Sequence, residues 1–462
     1  MIEAPHQISL SQWDARYGQL VAGDKEQPLY GGRLSRHVKE GDLRLKRLRF
    51  DDSPAALDLW NFLLSENDRL RKAKADGKKL IGVMKDLGTV PVMAYAYPEL
   101  VAFYPDGAWW IPCVMEGSDG LLDIADRFGL DESFCPVRAM FGAFVDEKHF
   151  PIPDRIICSV GAVCDDFSAI AQRIQGIGQS IFWWEIPNRR KPDPKEPFVE
   201  LPGGFLAPVE QVEFVKGELN RIAAALAELA GHRLTQRMLS DAIARANEIR
   251  KCLGELRRLT FTASVCPLPA LELLVAEMMA IHYCSDRNEV LAVLSKLLGV
   301  VRDRVNEGTG FMDDEAVRVF WVNPVADLRV MNLLEDCGGR LCGTEYLFTH
   351  ALDRIPTNIP PMEALARMAL ADPMVGSSSD RAARICRDIQ LFGSEAVIVS
   401  KIPGASHCSM EGSVIAEKIR MELDLPVIEI EVASVTDSAR ASLGTRLSAL
   451  METVREQRKG AS

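Results

Sequence analysis

The chain has 462 residues, 47% of them hydrophobic and 26% charged, enough to bury a large core and to divide into two or three domains. A formal charge of −11 repels a polyphosphate backbone, and no stripe of Lys and Arg interleaved with aromatics reverses this locally, so no nucleic-acid partner is expected. No segment holds the roughly 18 to 20 uninterrupted apolar residues that span a bilayer, and the start MIEAPHQISLSQWDARYG has neither the basic head nor the apolar run of a secretory leader; a cytoplasmic protein without a membrane partner is expected.

Residues 1–75 are polar and mixed in charge, with an apolar stripe at Leu57, Leu59, Phe62 and Leu63, and read as a helical N-terminal extension that runs into the basic stretch from Arg69 to Lys79. From Lys79 on, short β-favouring runs alternate with helical patterns: KLIGVM, AWWIPCV, DRIICSV and SIFWWEI. That alternation predicts a parallel sheet with crossover helices, a first α/β domain over 76–206. Over 207–310 the period becomes helical. Val209, Val212, Val215, Leu219, Ile222, Leu226 and Leu229 form one stripe ending at Gly231, a C-cap residue, and Leu234 to Leu253 form a second, which together predict a helical insert. VRVFWV, EAVIVS, PVIEIEV and a helix from about Ser438 to Arg455 predict a second α/β domain over 311–462. The proline-interrupted stretches IPNRRKPDPKEPFVELPGG and DRIPTNIPPMEALARM read as boundary loops. The fold class is therefore α/β, two halves around a helical middle.

Eleven cysteines without a leader read as reduced thiols or metal ligands, not as a disulfide framework. Cys135, in DESFCPVRAMFGAF, is held extended by the following proline. Cys164, in PDRIICSVGAVCDDFSAI, falls at a strand-to-helix turn where Asp165 and Asp166 are suited to cap the helix. Cys408, in EAVIVSKIPGASHCSMEGSVIAEKI, follows another strand and a Pro-Gly loop. Ligands of open α/β sheets collect beyond the carboxyl ends of strands, so two facing domains can bring these three loops to one pocket. Three thiolates there would leave one iron of a [4Fe–4S] cube open to water or substrate. The residues alone leave the alternative standing that each cysteine is a small buried hydrophobe. CGGRLC, with Cys337 and Cys342, reads as a turn with two buried thiols or as a further metal site; Cys158, Cys252 and Cys284 read as core, and Cys113, Cys266 and Cys386 give no sharper signal.

At these loops the sequence resembles the benzoyl-CoA reductase and 2-hydroxyacyl-CoA dehydratase D-component family of iron–sulfur proteins. FCPVRAMFGAF resembles the family's first cysteine segment, PIPDRIICSVGAVCDD its second, SKIPGASHC its third, and DLPVIEIEVASVTDSARASLGTRLSALMETV its closing strand, acidic loop and helix. The resemblance runs from about residue 80 to the C-terminus. It implies two flavodoxin-like (Rossmann-like) parallel-sheet domains with a [4Fe–4S] cluster between them, held by Cys135, Cys164 and Cys408. It further implies an acyl-CoA substrate, a sister iron–sulfur subunit or a homodimer, and a separate ATP-hydrolysing iron–sulfur activator. The enzyme would be an oxygen-sensitive radical 2-hydroxyacyl-CoA dehydratase (a lyase) or an aromatic acyl-CoA reductase (an oxidoreductase).

The missing GxxxxGK[ST] motif agrees with an ATP site on another chain, and HExxH and GxSxG are also absent. Around MAYAYPELVAFYPDGAWWIPCV the sequence departs from the family's polar loop, which leaves the active-site acid or base unassigned. Two other readings stay open: a double-cubane [8Fe–9S] cluster reductase of small molecules, for which Cys337, Cys342 and WWEIPNRR speak, and a non-catalytic paralogue that scaffolds a partner subunit. His407 and Arg138 are candidates to face the cluster or a CoA phosphate, each against a plain structural role.

Overall fold

The computed structural model describes residues 4–20, 33–37, 44–86, 88–107, 118–282, 286–325, 327–432 and 437–461; the side chains of a few of these, including 406–409, are outside the description. The chain opens with β1 (Gln7–Ser9), antiparallel to β2 (Arg49–Asp51), and the helices Leu10–Leu20, Pro54–Leu64 and Glu66–Ala75. β3 (Lys79–Met84), β4 (Leu100–Phe103), β5 (Arg155–Gly161) and β6 (Ile181–Ile186) form a parallel sheet in the order β4-β3-β5-β6. A ribbon of β7 (Phe198–Leu201) and β8 (Phe205–Pro208) leads into the helices Val209–Ala230, Gln236–Thr262, Ala270–His282 and Arg287–Glu307. β9 (Val317–Val322), β10 (Gly339–Glu345), β11 (Ala396–Lys401) and β12 (Val427–Glu431) make a second parallel sheet in the order β10-β9-β11-β12, and the helix Asp437–Ala461 closes the chain. The α/β class, the two parallel sheets, the helical middle and the N-terminal helices are thus as the sequence predicts.

Both sheets follow the flavodoxin order, second strand, first, third, fourth, so the chain changes direction between first and third strands and opens a crevice at their carboxyl ends. The strands are apolar along their length because helices cover both faces: Leu80 to Met84 and Val319 to Val322 are all buried. Helix ends follow local chemistry. Thr235 accepts a hydrogen bond from Met238 N, Asp286 accepts from the amides of Asn288 and Glu289, and Gly231 closes Val209–Ala230 at φ 79°.

Several expectations are corrected. β4 and β10 were not foreseen, and CGGRLC is not a turn: Cys337 ends the helix Arg329–Asp336, Gly338 turns at φ 85°, and Cys342 lies inside β10. The two proline-rich stretches are not plain loops, since the first carries β7 and the second starts the helix Pro361–Leu370, with Pro at its first turn where no N–H is needed. AWWIPCV lies outside the described residues. Among the described residues no helix is long and apolar enough to cross a membrane.

The N-terminal segment is fastened to the helical middle and to the second α/β half by buried polar groups. Arg304 pairs with Asp51 at 2.6 and 2.9 Å, and Glu272 Oε1 accepts from Asp51 N and Trp60 Nε1, both at 3.1 Å. Glu335 accepts from Gln7 Nε2 and Ala270 N, both at 2.7 Å. Burial pushes Glu272 up to about 8, helped by the nearby Asp51 carboxylate, and pushes Glu335 up to about 7. Because these folded-state values lie above those of the unfolded chain, the folded protein holds protons that the unfolded chain releases. The contribution is complete below about pH 4.5 and is lost as the pH rises through 7 to 8. Glu272→Gln is therefore expected to flatten the fall of the thermal midpoint between pH 5 and pH 9; an unchanged slope in scanning calorimetry would refute the assignment.

Candidate functional site

The carboxyl ends of the two sheets meet at a cavity of about 120 Å³, whereas one water needs roughly 10–15 Å³. From the first sheet its wall takes Lys85 after β3, Asp106 after β4, and Val163 and Cys164 after β5. From the second it takes Pro324 after β9, Tyr346 to Phe348 after β10, and Ile402 and Ala405 after β11. Cys135 and Val137 enter from the crossover between β4 and β5, and Met278 and Ile281 from the helical middle. The crevice expected of each flavodoxin-like sheet is thus shared by both.

Backbone strain concentrates here. Lys85 (φ 60°), Val163 (φ 77°), Asn323 (φ 71°) and Leu347 (φ 67°) each stand just beyond a strand end in the left-handed region, which a β-branched residue such as Val163 rarely adopts. Gly161 turns the chain at φ 90° against Ile186 O, where any side chain would collide, and three residues later Cys164 caps the helix Asp165–Gly176.

Cys135 is partly buried, extended at φ −51° and ψ 140°, and starts the short 3₁₀ turn Pro136–Arg138 as its proline dictates. Cys164 is itself the N-cap residue of its helix. Asp165 and Asp166 occupy the first turn instead of the cap, and the Cys164 thiol donates to Asp166 Oδ2 at 3.7 Å. Cys408 lies in the first turn of the helix Ser406–Leu423, three residues beyond the cavity-lining Ala405; its side chain and that of His407 are outside the described residues. Two of the three expected ligands thus reach one cavity with the backbone of the third beside it. Among the described residues no group of three metal-binding side chains is complete.

The loop before Cys408 is pressed against the loop before Cys135. Gly404, at φ 77°, lies where a Cβ would stand 2.5 Å from Phe134 O and 2.6 Å from Glu132 O. Ile402 and Ala405 are buried in the same apolar cluster as Met140, Phe141 and Ile170 of the first half. The Cys408 helix is clamped from the other side by Arg381, fully buried, which pairs with Glu345 at the end of β10, with Glu411 at 2.7 Å and with Asn323 Oδ1 at 2.6 Å.

Charge on the wall is sparse. Lys85 is 3% exposed and donates to Ser168 Oγ at 2.8 Å and Gly161 O at 3.4 Å; burial pulls its pKa down, against the pull of nearby Cys158, Asp165 and Cys164. Burial pushes Asp106 up to about 7. Behind the wall, burial pushes Asp86 up to about 6, although Val90 N donates to it at 2.6 Å, and His350 stands 3.7 Å from Asp372. Sequence reasoning missed Lys85, Asp106 and Tyr346. For Lys85 the signal available was position, one residue after the apolar run KLIGVM; Asp106 and Tyr346 follow β4 and β10, which the sequence did not reveal.

Other candidates resolve into structural roles. Arg138 is buried, donating to Phe134 O at 3.2 Å and lying 3.4 Å from Asp126, so it fastens the first cysteine loop. Cys158 is fully buried in β5 and pushed up to about 12 by burial, which fits its core reading. Cys252 is buried in the helix Gln236–Thr262, Cys266 and Cys386 are buried as well, and Cys113 and Cys284 lie outside the described residues. Cys337 caps the helix before β10 and Cys342 lies in the middle of that strand, short of the carboxyl end that faces the cavity, and neither lines it. Phe182, Trp183 and Trp184 of β6 pack into the core, and Trp109 and Trp110 are outside the described residues.

Two flavodoxin-like parallel sheets whose carboxyl ends share one crevice define the class of this α/β protein. The sequence profile described as 2-hydroxyglutaryl-CoA dehydratase, D-component, matches residues 94–454, and the chain belongs to that family of dehydratase subunits. No curated protein matches it. If the Gly404 approach sets the spacing of the cysteine loops, Gly404→Ala lowers stability by about 1–3 kcal/mol through the strained φ and the collision with Phe134 O. Thermal unfolding at fixed pH reads this directly, and an unshifted midpoint would show that the loops tolerate separation.

Proposed function

We propose that this chain is the cluster-holding subunit of a low-potential CoA-thioester enzyme, with Cys135, Cys164 and Cys408 as ligands of a [4Fe–4S] cluster. The observation that carries the reading is the convergence of the three cysteine-bearing loops on one apolar cavity, two thiols on its wall and the third loop locked against the first at Gly404. The donor set fits: thiolates from separate loops, an apolar surround and sparse hydrogen bonding are what such a cluster takes. When bound, it would supply one electron at low potential and an iron open to a substrate oxygen. The chain's own part is to exclude water with Phe167, Phe348 and Met374, and to hold the ligand loops at fixed separation through Gly404 and Arg381. The remaining parts of the reading are a sister subunit or second copy, an ATP-hydrolysing activator on another chain, and an acyl-CoA that undergoes dehydration or reduction.

Protein purified without oxygen is expected to carry about four irons and matching sulfide per chain, with a cluster signal in EPR after reduction. Replacing Cys135, Cys164 or Cys408 by Ala is expected to remove most of that iron. Iron near eight per chain would point to the double-cubane reading, and a folded iron-free protein to the scaffold. Lys85 sets a second expectation, because a buried cation beside Cys164 favours the reduced cluster and offsets part of the downward pull of the apolar wall. Lys85→Met is expected to move the midpoint potential to more negative values at unchanged iron content, whereas an unmoved potential would mean that this charge is screened from the cluster.

A further inference from the structure

The helix Ser406–Leu423 carries Cys408 in its first turn and has two unlike sides. On one, Ile415, Ala416 and Ile419 are buried in the same cluster as Val397 and Val399 of β11. On the other, Met410 is 79% exposed, Val414 49% and Met421 79%. Together with Glu417, also exposed, they follow one another at spacings of four, three and four residues, which sets them along one line of the helix. That is the spacing of a coiled-coil seam, here roughly 16 Å long. Exposed apolar residues scattered singly are ordinary, whereas a line of them on one helix is a surface made to be covered.

Charge decides what can cover it. Glu417 has no cation paired with it among the described residues, and the cations next to it in sequence are taken. Lys418 pairs with Glu422 at 2.5 Å, while Arg420 donates to Val427 O at 3.0 Å and lies 3.7 Å from Glu429. A body that covers the seam strips water from the Glu417 carboxylate and must return a cation to it. A second copy of this chain does not supply one. Laid antiparallel it sets Glu417 beside Val414, laid parallel it sets Glu417 beside Glu417, and each copy carries a formal charge of −11. The neighbouring edge strand β12 is a poor place for an added strand, because the carbonyls of Val427 and Glu429 accept from Arg420 and Arg446.

Building on the reading that another subunit completes the enzyme, we propose that this seam seats a helix of a different subunit, one whose own apolar line is interrupted by a lysine or arginine that pairs with Glu417. Met410 stands two residues past Cys408, so a subunit seated here abuts the helix that carries the third expected ligand. A single seam of this length is one part of a wider contact.

Sedimentation velocity over a dilution series is run on the complex as it purifies without oxygen, the chain together with its co-purifying subunit. The parent is compared with the double variant Met410→Lys, Met421→Lys, with Glu417→Lys and Glu417→Gln, and with Phe214→Lys as a control at an exposed apolar residue of the helical middle. Iron content and thermal midpoint check the fold of each. The double variant and Glu417→Lys are each expected to weaken assembly at least about tenfold, and Phe214→Lys to leave it unchanged. Glu417→Gln is expected to weaken it severalfold and to flatten its dependence on salt, which loss of a purely apolar contact would not do. A complex of different subunits that the seam variants leave as tight as the parent, or that Phe214→Lys weakens equally, overturns the proposal while the subunit reading stands. A homodimer, whether or not the variants break it, overturns the commitment to a different subunit with a basic seam. A monomer that carries its full iron overturns the subunit reading and this proposal with it.

Discussion

The approach of Gly404 to the carbonyl oxygens of Glu132 and Phe134 is the contact on which the cavity depends. It joins a loop of the second sheet to a loop of the first without an intervening side chain, and so brings the carboxyl end of one parallel sheet onto that of the other. A parallel sheet covered by helices on both faces has only its strand ends left for function. With two such ends facing, each half supplies half of a wall, and neither alone encloses anything. The left-handed residues Lys85, Val163, Asn323 and Leu347 show how the strand ends are re-aimed, each turning the chain sharply just past its strand. The surrounding structure has to hold these conformations, and Arg381, pairing with three separate segments, is one of the groups that does so.

The cavity's electrostatics follow from its enclosure. A water-poor space with one buried cation magnifies every charge placed in it, so a few groups matter greatly and the many apolar ones set the background. Asp106 on the wall and Asp86 behind it are both pushed up by burial. Perturbation of this kind also occurs far from the cavity, at Glu272 and Glu335, where it accompanies a fastening between segments. Perturbation alone therefore does not mark chemistry; position at a strand end and exposure to a common void do.

The architecture was legible where periodicity was strong. KLIGVM and VRVFWV coincide with β3 and β9, and the helical stripes from Val209 onward coincide with long helices, because burial on a fixed face leaves a regular imprint. β4 and β10 were hidden for opposite reasons. LVAF is short and follows a proline, while GRLCGTE is broken by Gly343, whose missing side chain lets the Phe320 ring sit against the strand. Cys135 and Cys164 stood out because a proline or a strand-to-helix turn frames each of them. Asp106 and Tyr346 did not, since nothing local distinguishes an enclosed polar side chain from a solvated one; only the fold, by closing a wall around them, gives them meaning.

One feature of the N-terminal segment bears on how the protein is made. Gln7 finds its partner Glu335 across 328 positions, and Asp51 meets Arg304 across 253. On a ribosome adding about 5–20 residues per second, the first strand and its apolar helix would wait roughly ten seconds to a minute before the surface they cover has emerged. Trp13, Phe50 and Trp60, all buried in the finished molecule, stand exposed for that interval. The opening segment is thus a latch that cannot close until residue 335 has been made, and its vulnerability to misassociation is decided during synthesis.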